Sequence, residues 1–189
     1  MNIYIYEFLF YLGMTSLNIH KIKFYQFLNE DLTIEQFKNW VFENEELERI
    51  LGIDHHNDLL SYNFKSTFLS SYIKSLVKKC FDWEDFERWR TIVLFKKINT
   101  GAIEMVLASH KLRDIYLEQK EELKYSFINI SLAIGYESEF IKYPIESEYS
   151  HWNIEALNKL LEPLNFYKES FLKDVNENLE QLLNSETKI

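Results

Sequence analysis

Two neighbouring histidines are the side chains of this sequence best suited to metal chemistry. His55 and His56 stand between Asp54 and Asp58, and imidazole with carboxylate is a donor set that suits zinc or manganese. Adjacent residues on a loop point apart, however, and no HExxH, CxxC or distant HxH motif supplies further ligands. We therefore interpret 54–57 as a solvent-facing loop and predict no metal site.

A second group of reactive side chains surrounds a predicted helix start. Four acids follow closely on one another there: Asp82, Glu84, Asp85 and Glu87. They could form a metal-binding cluster, but acids in the first turns of a helix are explained by capping and by the helix dipole. Cys80, the one cysteine, falls at an inward position of the preceding helix, where burial would raise the pKa of its thiol. We expect it to be inert.

Recognisable catalytic motifs are missing from the sequence. It contains no GxSxG, no Walker lysine loop and no GxGxxG, so no motif indicates acyl transfer or nucleotide chemistry. We predict no catalytic residue and no cofactor, and we favour a non-enzymatic protein. An enzyme whose site is assembled from residues far apart in the sequence stays open.

The net charge of -9 is concentrated in two parts of the chain. Residues 30–58 hold nine acids against one lysine and one arginine, and residues 137–189 hold eleven acids against five lysines. Acidic faces repel phosphate backbones, so direct binding of nucleic acid is disfavoured. They attract a basic protein partner and speed the encounter with it. The alternative is that acidic helix surfaces only keep the protein soluble.

Two sets of residues are our candidates for contact with a partner. The first set is the acids Glu43, Glu45, Glu46 and Glu48. The second is the aromatic residues Tyr149 and Trp152, which stand beside Glu146 and Glu148. Tyrosine and tryptophan are favoured as interface anchors, which makes an aromatic and acidic recognition patch plausible around residue 150. The alternative for Trp152, as for Trp40, Trp83, Trp89 and the phenylalanines, is a place in the core, because aromatic residues at helical spacing usually pack. The oligomeric state cannot be predicted.

The pattern of apolar residues predicts an all-α fold. Four glycines and two prolines in 189 residues are too few for the many turns of an all-β protein. Thr33 with Gln36 has the form of a capping box, and Gly52 is the kind of residue that ends a helix. We expect a single compact multi-helix domain over 1–189. The segment 125–136 alternates enough to form a minor strand or hairpin.

The two ends of the chain carry separate predictions. Residues 1–13 are apolar but too short to span a bilayer, and they lack the basic start and cleavage site of a signal peptide. They are either a buried segment or an extension upstream of a true start at Met14. We expect 185–189 to be a disordered tail. We also predict that the protein does not associate with a membrane and that it is cytoplasmic, since a single cysteine suits a reducing compartment.

Several short motifs resemble those of a known group of proteins. They are Phe37-x-x-Trp40-Val41-Phe42, Leu47-Glu48-x-x-Leu51-Gly52, Leu59-Leu60-x-x-Asn63-Phe64, and later Pro144 with Tyr149-x-x-Trp152. Together they are similar to small bacterial immunity proteins encoded beside polymorphic toxins. The resemblance implies a cytoplasmic protein that binds a cognate toxin, often a nuclease, and blocks its active site or holds it inactive. An adaptor or scaffold of a phage-defence or regulatory complex is the alternative.

Overall fold

The protein is all-α in the part of the chain that can be described. The computed structural model describes residues 16–185, with side chains from Ile19 onward, and this part contains helices and no β-strand. The predicted fold class is therefore confirmed. The prediction for 1–13 lies outside the described residues, and so does that for 185–189 except at Ser185, which is described. No helix among the described residues combines the length and the apolar character needed to cross a bilayer.

The chain divides into two compact units, which meet in the sequence at Phe86 and Glu87. The helices of the first unit are α1 (Ser16–Leu28), α2 (Ile34–Glu43), α3 (Leu47–Leu51), α4 (Ile53–Ser61), α5 (Leu69–Cys80) and the start of α6 (Trp83–Asn99). The second unit holds the rest of α6, then α7 (Met105–Glu122), α8 (Tyr136–Phe140), α9 (Ile154–Leu161) and α10 (Leu164–Asn184). Whether the two units form a single domain stays a prediction.

Aromatic rings make up the core of the first unit, where α1 packs against α2 and α5. Phe24 and Phe37 are fully buried, and their ring centroids lie 5.5 Å apart in an edge-to-face arrangement. Phe27 stacks on Phe37 at 4.4 Å. Each buried phenylalanine contributes roughly 1.5 to 3 kcal/mol through the apolar surface it removes from water. The aromatic residues predicted as core in this region therefore hold α1 and α2 together.

Two local signals in the first unit act as the sequence predicts. Thr33 and Gln36 form a reciprocal capping box at the start of α2, with the Gln36 amide donating to Thr33 Oγ1 and the Thr33 amide donating to Gln36 Oε1. Gly52 ends α3 with a φ of 80°, a conformation that costs other residues energy. The chain can therefore reverse between α3 and α4.

The predicted loop at 54–57 is wrong, because these residues lie in helix α4. Gly52 separates two helices instead of leading into a loop, and its carbonyl accepts from the His56 amide at 3.0 Å. His56 and Leu59 are three residues apart and both buried, so they share the inward face of the helix. Because a polar histidine occupies this core position, the apolar residues of the segment do not recur at helical spacing, and the helix could not be predicted from them.

The second unit has its core between α7, α8 and α10. Phe140 and Phe171 are fully buried with ring centroids 5.8 Å apart, and Leu112 of α7 is buried as well. A π-helical turn at Ser131–Gly135 leads into α8, and α7 packs against both. A 3₁₀ helix at Glu146–His151 precedes α9. Pro163 begins α10, as predicted, and Ser185 caps its end by donating to the Leu182 carbonyl.

The segment 125–136 forms neither a strand nor a hairpin. Its first half is irregular and is held by two buried side-chain amides, and its second half is the π-helical turn. Gln119 Oε1 accepts from the Phe127 amide at 3.0 Å, and Asn178 Oδ1 accepts from the Asn129 amide at 2.9 Å. The side-chain nitrogen of Asn178 also donates to the Phe127 carbonyl at 3.1 Å. Backbone groups that would need a neighbouring strand are thus satisfied by side chains.

Candidate functional site

The four predicted acids lie on one helix–turn–helix segment of the first unit. Glu43 ends α2, Glu45 and Glu46 occupy the turn, Glu48 lies in α3, and all four are exposed. Buried Val41 and Leu47 anchor the segment on either side. Residues 43–48, which we call the acidic segment, therefore present four carboxylates from a turn whose backbone is fixed by the core.

One of these carboxylates is held in place by a buried histidine. His20 of α1 is 8% exposed, and its Nε2 lies 2.8 Å from Glu46 Oε2. The Asn44 side-chain nitrogen lies 3.3 Å from His20 Nδ1. Both ring nitrogens of His20 therefore have a polar partner, and the Nε2 contact orients the Glu46 carboxylate.

The other three acids are held less tightly. Glu48 lies 3.9 Å from Nδ1 of the buried His56, which is too far for a hydrogen bond. Arg49 approaches Glu46 only to 4.0 Å, and such an exposed pair contributes little. Among the described residues, Glu43 and Glu45 have no hydrogen bond or ion pair. Their charges are available to a partner.

Apolar side chains accompany the acidic segment on the surface. Phe42, directly before Glu43, is 55% exposed, with its ring 6.0 Å from that of Phe64. Ile53, directly after Gly52, is 60% exposed. Exposed apolar side chains beside charged ones add surface that a partner could bury. Neither residue was among the predicted contacts, although Phe42 belongs to the motifs that carry the family resemblance.

Of the two predicted aromatic anchors, Tyr149 is set into the second unit. It lies in the 3₁₀ helix and is half-buried. Burial raises the pKa of its hydroxyl, and the negative charges of Glu104 and Glu146 raise it further. Glu104 at the start of α7 acts on the same hydroxyl as Glu146, and burial raises the pKa of Glu104 itself.

Trp152 is the exposed member of the pair. Its side chain is 45% exposed, and its amide donates to the Tyr149 carbonyl at 3.0 Å. Asn153 follows and caps α9 through its side-chain oxygen, which accepts from the amides of Glu155 and Ala156. The tryptophan therefore stands at a fixed point just before a helix, where a partner could cover it.

Two further exposed apolar residues of the second unit were missed. Ile154 is 72% exposed and Phe166 is 84% exposed. The buried positions of α10 are Leu164, Phe171, Val175, Asn178 and Leu182, which repeat at intervals of three, four and seven. Phe166 lies two residues from Leu164 and so falls off this stripe. The helical period was the available signal for its exposure.

The acids at the start of α6 serve structure, in two different ways. Asp82 accepts from the Glu84 amide at 2.9 Å, as expected of a cap. Glu87 is instead fully buried and paired with Arg90 at 2.6 Å, an arrangement that capping alone does not explain. Burial raises the pKa of Glu87 despite the opposing effect of Arg90. Arg90 also contacts the exposed Glu118 at 2.6 Å.

Three features of the described residues bear on catalysis. They contain no group of three or more His, Cys, Asp or Glu side chains placed to hold a metal ion. Burial raises the pKa of the Cys80 thiol, as predicted, which disfavours the nucleophilic thiolate. A shallow open cleft of about 450 Å³ lies along α9 and the start of α10, lined by Asn158, Lys159, Leu161, Glu162 and Asn165.

Comparison of the chain with known proteins found no matching family model, no matching curated protein and no matching solved structure.

Proposed function

We propose that this chain is a non-catalytic protein-binding protein that engages a basic protein partner through its acidic segment. Following the resemblance in its motifs, we propose further that the partner is a bacterial toxin and that the chain is its immunity protein, acting in the cytoplasm. The observation that carries the proposal is the arrangement of the four exposed acids. They share one ordered turn, and the buried His20 contacts Glu46 at 2.8 Å.

Electrostatics gives such a turn two effects on a basic partner. Four like charges within six residues attract the partner over about one Debye length, roughly 10 Å at 0.1 M salt, and so raise the association rate. The ordered backbone and the fixed Glu46 carboxylate reduce the entropy lost on binding. Phe42 and Ile53 add apolar surface that a partner can bury. We therefore expect rapid association that weakens as salt is added.

The first experiment is co-expression of this chain with the product of the adjacent gene. A basic neighbour that stops growth alone, and whose toxicity is relieved when it copurifies with this chain, would support an immunity protein. If the neighbour is harmless, or remains toxic although both proteins are produced, the toxin proposal fails.

The second experiment tests the acidic segment directly with the E43K/E45K/E46K/E48K variant. An exposed interfacial charge contributes about 0.5 to 1 kcal/mol, so reversing four should weaken binding by about 2 to 4 kcal/mol, or roughly 30- to 1,000-fold in Kd. The control reverses four exposed acids of the second unit: Glu121, Glu169, Glu177 and Glu180. Isothermal titration calorimetry measures the affinity of both variants for the copurified partner. It distinguishes a loss of contacts at the acidic segment from an effect of the changed net charge. Equal losses in the two variants would remove the acidic segment from the proposal.

An adaptor is the second candidate, and the exposed apolar surface of the second unit favours it. Trp152, Ile154 and Phe166 are all well exposed, and they lie in a different unit from the acidic segment. An adaptor needs two binding surfaces, whereas an inhibitor needs one. Copurification of two different partners without relief of toxicity would favour the adaptor.

A further inference from the structure

Two buried histidines lie behind the acidic segment, each from a different helix. His20 of α1 is 8% exposed and His56 of α4 is 9% exposed. Nε2 of His20 lies 2.8 Å from Glu46 Oε2, and Nδ1 of His56 lies 3.9 Å from Glu48 Oε2. Both glutamate side chains are more than half exposed. Two of the four carboxylates of the segment therefore have an imidazole within ion-pair distance on the side of the core.

The surroundings of His56 leave one of its ring nitrogens without a partner. Nδ1 is buried and has no hydrogen-bond partner among the described residues. A histidine that takes up a proton donates from both nitrogens, and a buried charge is costly unless it is paired. A small movement of the exposed Glu48 side chain would shorten the 3.9 Å separation to a charge-assisted hydrogen bond. Protonation of His56 would therefore draw the Glu48 carboxylate towards it.

The surroundings of His20 suit a protonated imidazole without a change of the backbone. Nε2 already contacts Glu46, and the Asn44 side-chain nitrogen lies 3.3 Å from Nδ1. An asparagine amide presents its oxygen in place of its nitrogen when it turns over. A protonated His20 would then donate to Glu46 from Nε2 and to Asn44 from Nδ1. The positive charge would compensate the Glu46 carboxylate.

Other charged groups near the two histidines supply no competing carboxylate. The helices α2 and α5 pack against α1, and α3 packs against α4. Their ionisable residues are Glu35, Lys38 and Glu43 of α2, Glu48 and Arg49 of α3, and Tyr72, Lys74, Lys78, Lys79 and Cys80 of α5. On the histidines' own helices they are Lys21, Lys23, Tyr25, Asp54, His55 and Asp58. Within the described part of the chain, only Glu46 and Glu48 bring a carboxylate within 4.0 Å of either imidazole.

We propose that His20 and His56 make the acidic segment a pH-sensitive surface, which binds a basic partner more weakly as the pH falls from 7.5 to 5.5. The inference rests on the proposed function, because it concerns the regulation of the same segment. Histidine is the side chain that ordinarily changes charge between pH 5 and 8, whereas an ordinary glutamate stays mostly ionised there. Acidification therefore adds two positive charges behind four negative ones.

The size of the effect follows from the number of charges compensated. Reversal of all four acids is expected to weaken binding roughly 30- to 1,000-fold, so compensation of two should weaken it by the square root of that range, about 5- to 30-fold. Glu43 and Glu45 have no histidine within ion-pair distance among the described residues and keep their charges. Binding is therefore weakened and not abolished.

The test uses octalysine labelled with tetramethylrhodamine, a probe whose own lysine charges stay constant between pH 5.5 and 7.5. Fluorescence anisotropy measures its affinity for the full chain at both pH values and constant ionic strength. We expect the wild type to bind octalysine at least fivefold more weakly at pH 5.5. The E43K/E45K/E46K/E48K variant should bind it more weakly than the wild type at pH 7.5, which assigns the binding to the acidic segment.

Variants assign the pH response to the two histidines. H20Q and H56N each replace an imidazole by an amide that does not titrate and that reaches about as far as the contacting nitrogen. The H20Q/H56N double variant should change its octalysine affinity less than twofold between the two pH values. H55N/H151N is the matched control, because neither His55 nor His151 is buried, and it should keep the full response. Circular dichroism and thermal unfolding confirm that each variant is folded.

Imidazole NMR spectra of the wild-type chain provide a second measurement, which does not depend on the folding of H20Q/H56N or on any partner. The His20 and His56 signals should move between pH 7.5 and 5.5. E46Q should alter the titration curve of His20 alone, and E48Q that of His56 alone, since each glutamate contacts one histidine.

Four results would overturn the proposal. Equal octalysine affinity of the wild type at both pH values, with weaker binding by E43K/E45K/E46K/E48K, would reject the pH response and leave the proposed function standing. An undiminished response in H20Q/H56N would assign it to other groups. Histidine signals that stay in place would show that neither imidazole takes up a proton. Equal affinity of the wild type and E43K/E45K/E46K/E48K at pH 7.5 would reject the segment as a surface for basic partners, and the proposed function with it.

Discussion

The buried pair of Glu87 and Arg90 leads to a quantitative prediction. Glu87 is fully buried, Arg90 is 12% exposed, and their side chains are 2.6 Å apart. The substitution Arg90→Met keeps most of the aliphatic stem and removes the positive charge. It leaves the Glu87 carboxylate buried with its principal compensating charge gone, which is the arrangement that costs most in a protein interior.

The size of the loss has an upper limit, because the carboxylate can take up a proton. Burial already raises the pKa of Glu87 from its usual 4.5, and loss of Arg90 raises it further. Protonating at pH 7 a group that would ionise at 4.5 in the unfolded chain costs about 1.36 kcal/mol per pH unit, or about 3.4 kcal/mol. We therefore expect Arg90→Met to lose about 2 to 3 kcal/mol of unfolding free energy at pH 7.

The sign of the pH dependence follows from the direction of the shift. A carboxyl whose pKa is raised on folding binds more protons in the folded state, so stability falls as the pH rises from about 4.5 through the folded value. The defect of Arg90→Met should therefore shrink to a few tenths of a kcal/mol near pH 4.5. Urea unfolding of wild type, Arg90→Met and Glu87→Gln/Arg90→Met across this range measures it, and the double variant should show no such slope. A defect equal at both pH values would refute the reasoning and assign Arg90 a packing role.

Three other substitutions test the local structure. Thr33→Ala should cost about 1 kcal/mol in urea unfolding through loss of the α2 cap, and a change below about 0.3 kcal/mol would contradict that. Gln119→Leu should cost about 2 kcal/mol and speed hydrogen exchange at the Phe127 amide, because that amide and the Ser126 hydroxyl lose their acceptor; unchanged exchange would contradict it. Gly52→Ala should cost about 1 kcal/mol of unfolding free energy, measured by differential scanning calorimetry. Backbone strain at φ 80° is the only cause expected, since an added Cβ meets nothing within 4 Å. An unchanged Tm would show that no strain exists.

The parts of the fold that depend on short-range contacts could be predicted from the sequence. The capping box joins residues three apart, and Gly52 acts through its own dihedral angle. The segment 125–136 could not be predicted, because Asn178 lies 49 residues from Asn129 and 51 from Phe127. Alternating apolar residues suggest a strand unless such distant side chains supply the backbone hydrogen bonds.

The candidate site shows the same division. Exposure of the four acids followed from their charge, whereas Trp152 suited both a core position and the predicted patch, and the structure leaves it 45% exposed. The contact of His20 with Glu46 joins residues 26 apart, and no local pattern announces it. Burial of His56 was missed because a polar residue occupied an inward position of α4. Sequence reasoning thus finds which residues are charged or aromatic, but not which of them the core holds in place.

The way Glu46 is held separates a binding surface from one that only keeps the protein soluble. Fixing a glutamate side chain costs up to about 1.5 to 2 kcal/mol of rotamer entropy, and solubility requires no such ordering, since a freely moving carboxylate is equally well hydrated. The buried His20, which also contacts Asn44, orders it through a 2.8 Å contact although 56% of the Glu46 side chain is exposed. A carboxylate that is already ordered loses less entropy when a positively charged group binds it from outside. The ordering of Glu46 therefore favours the binding surface.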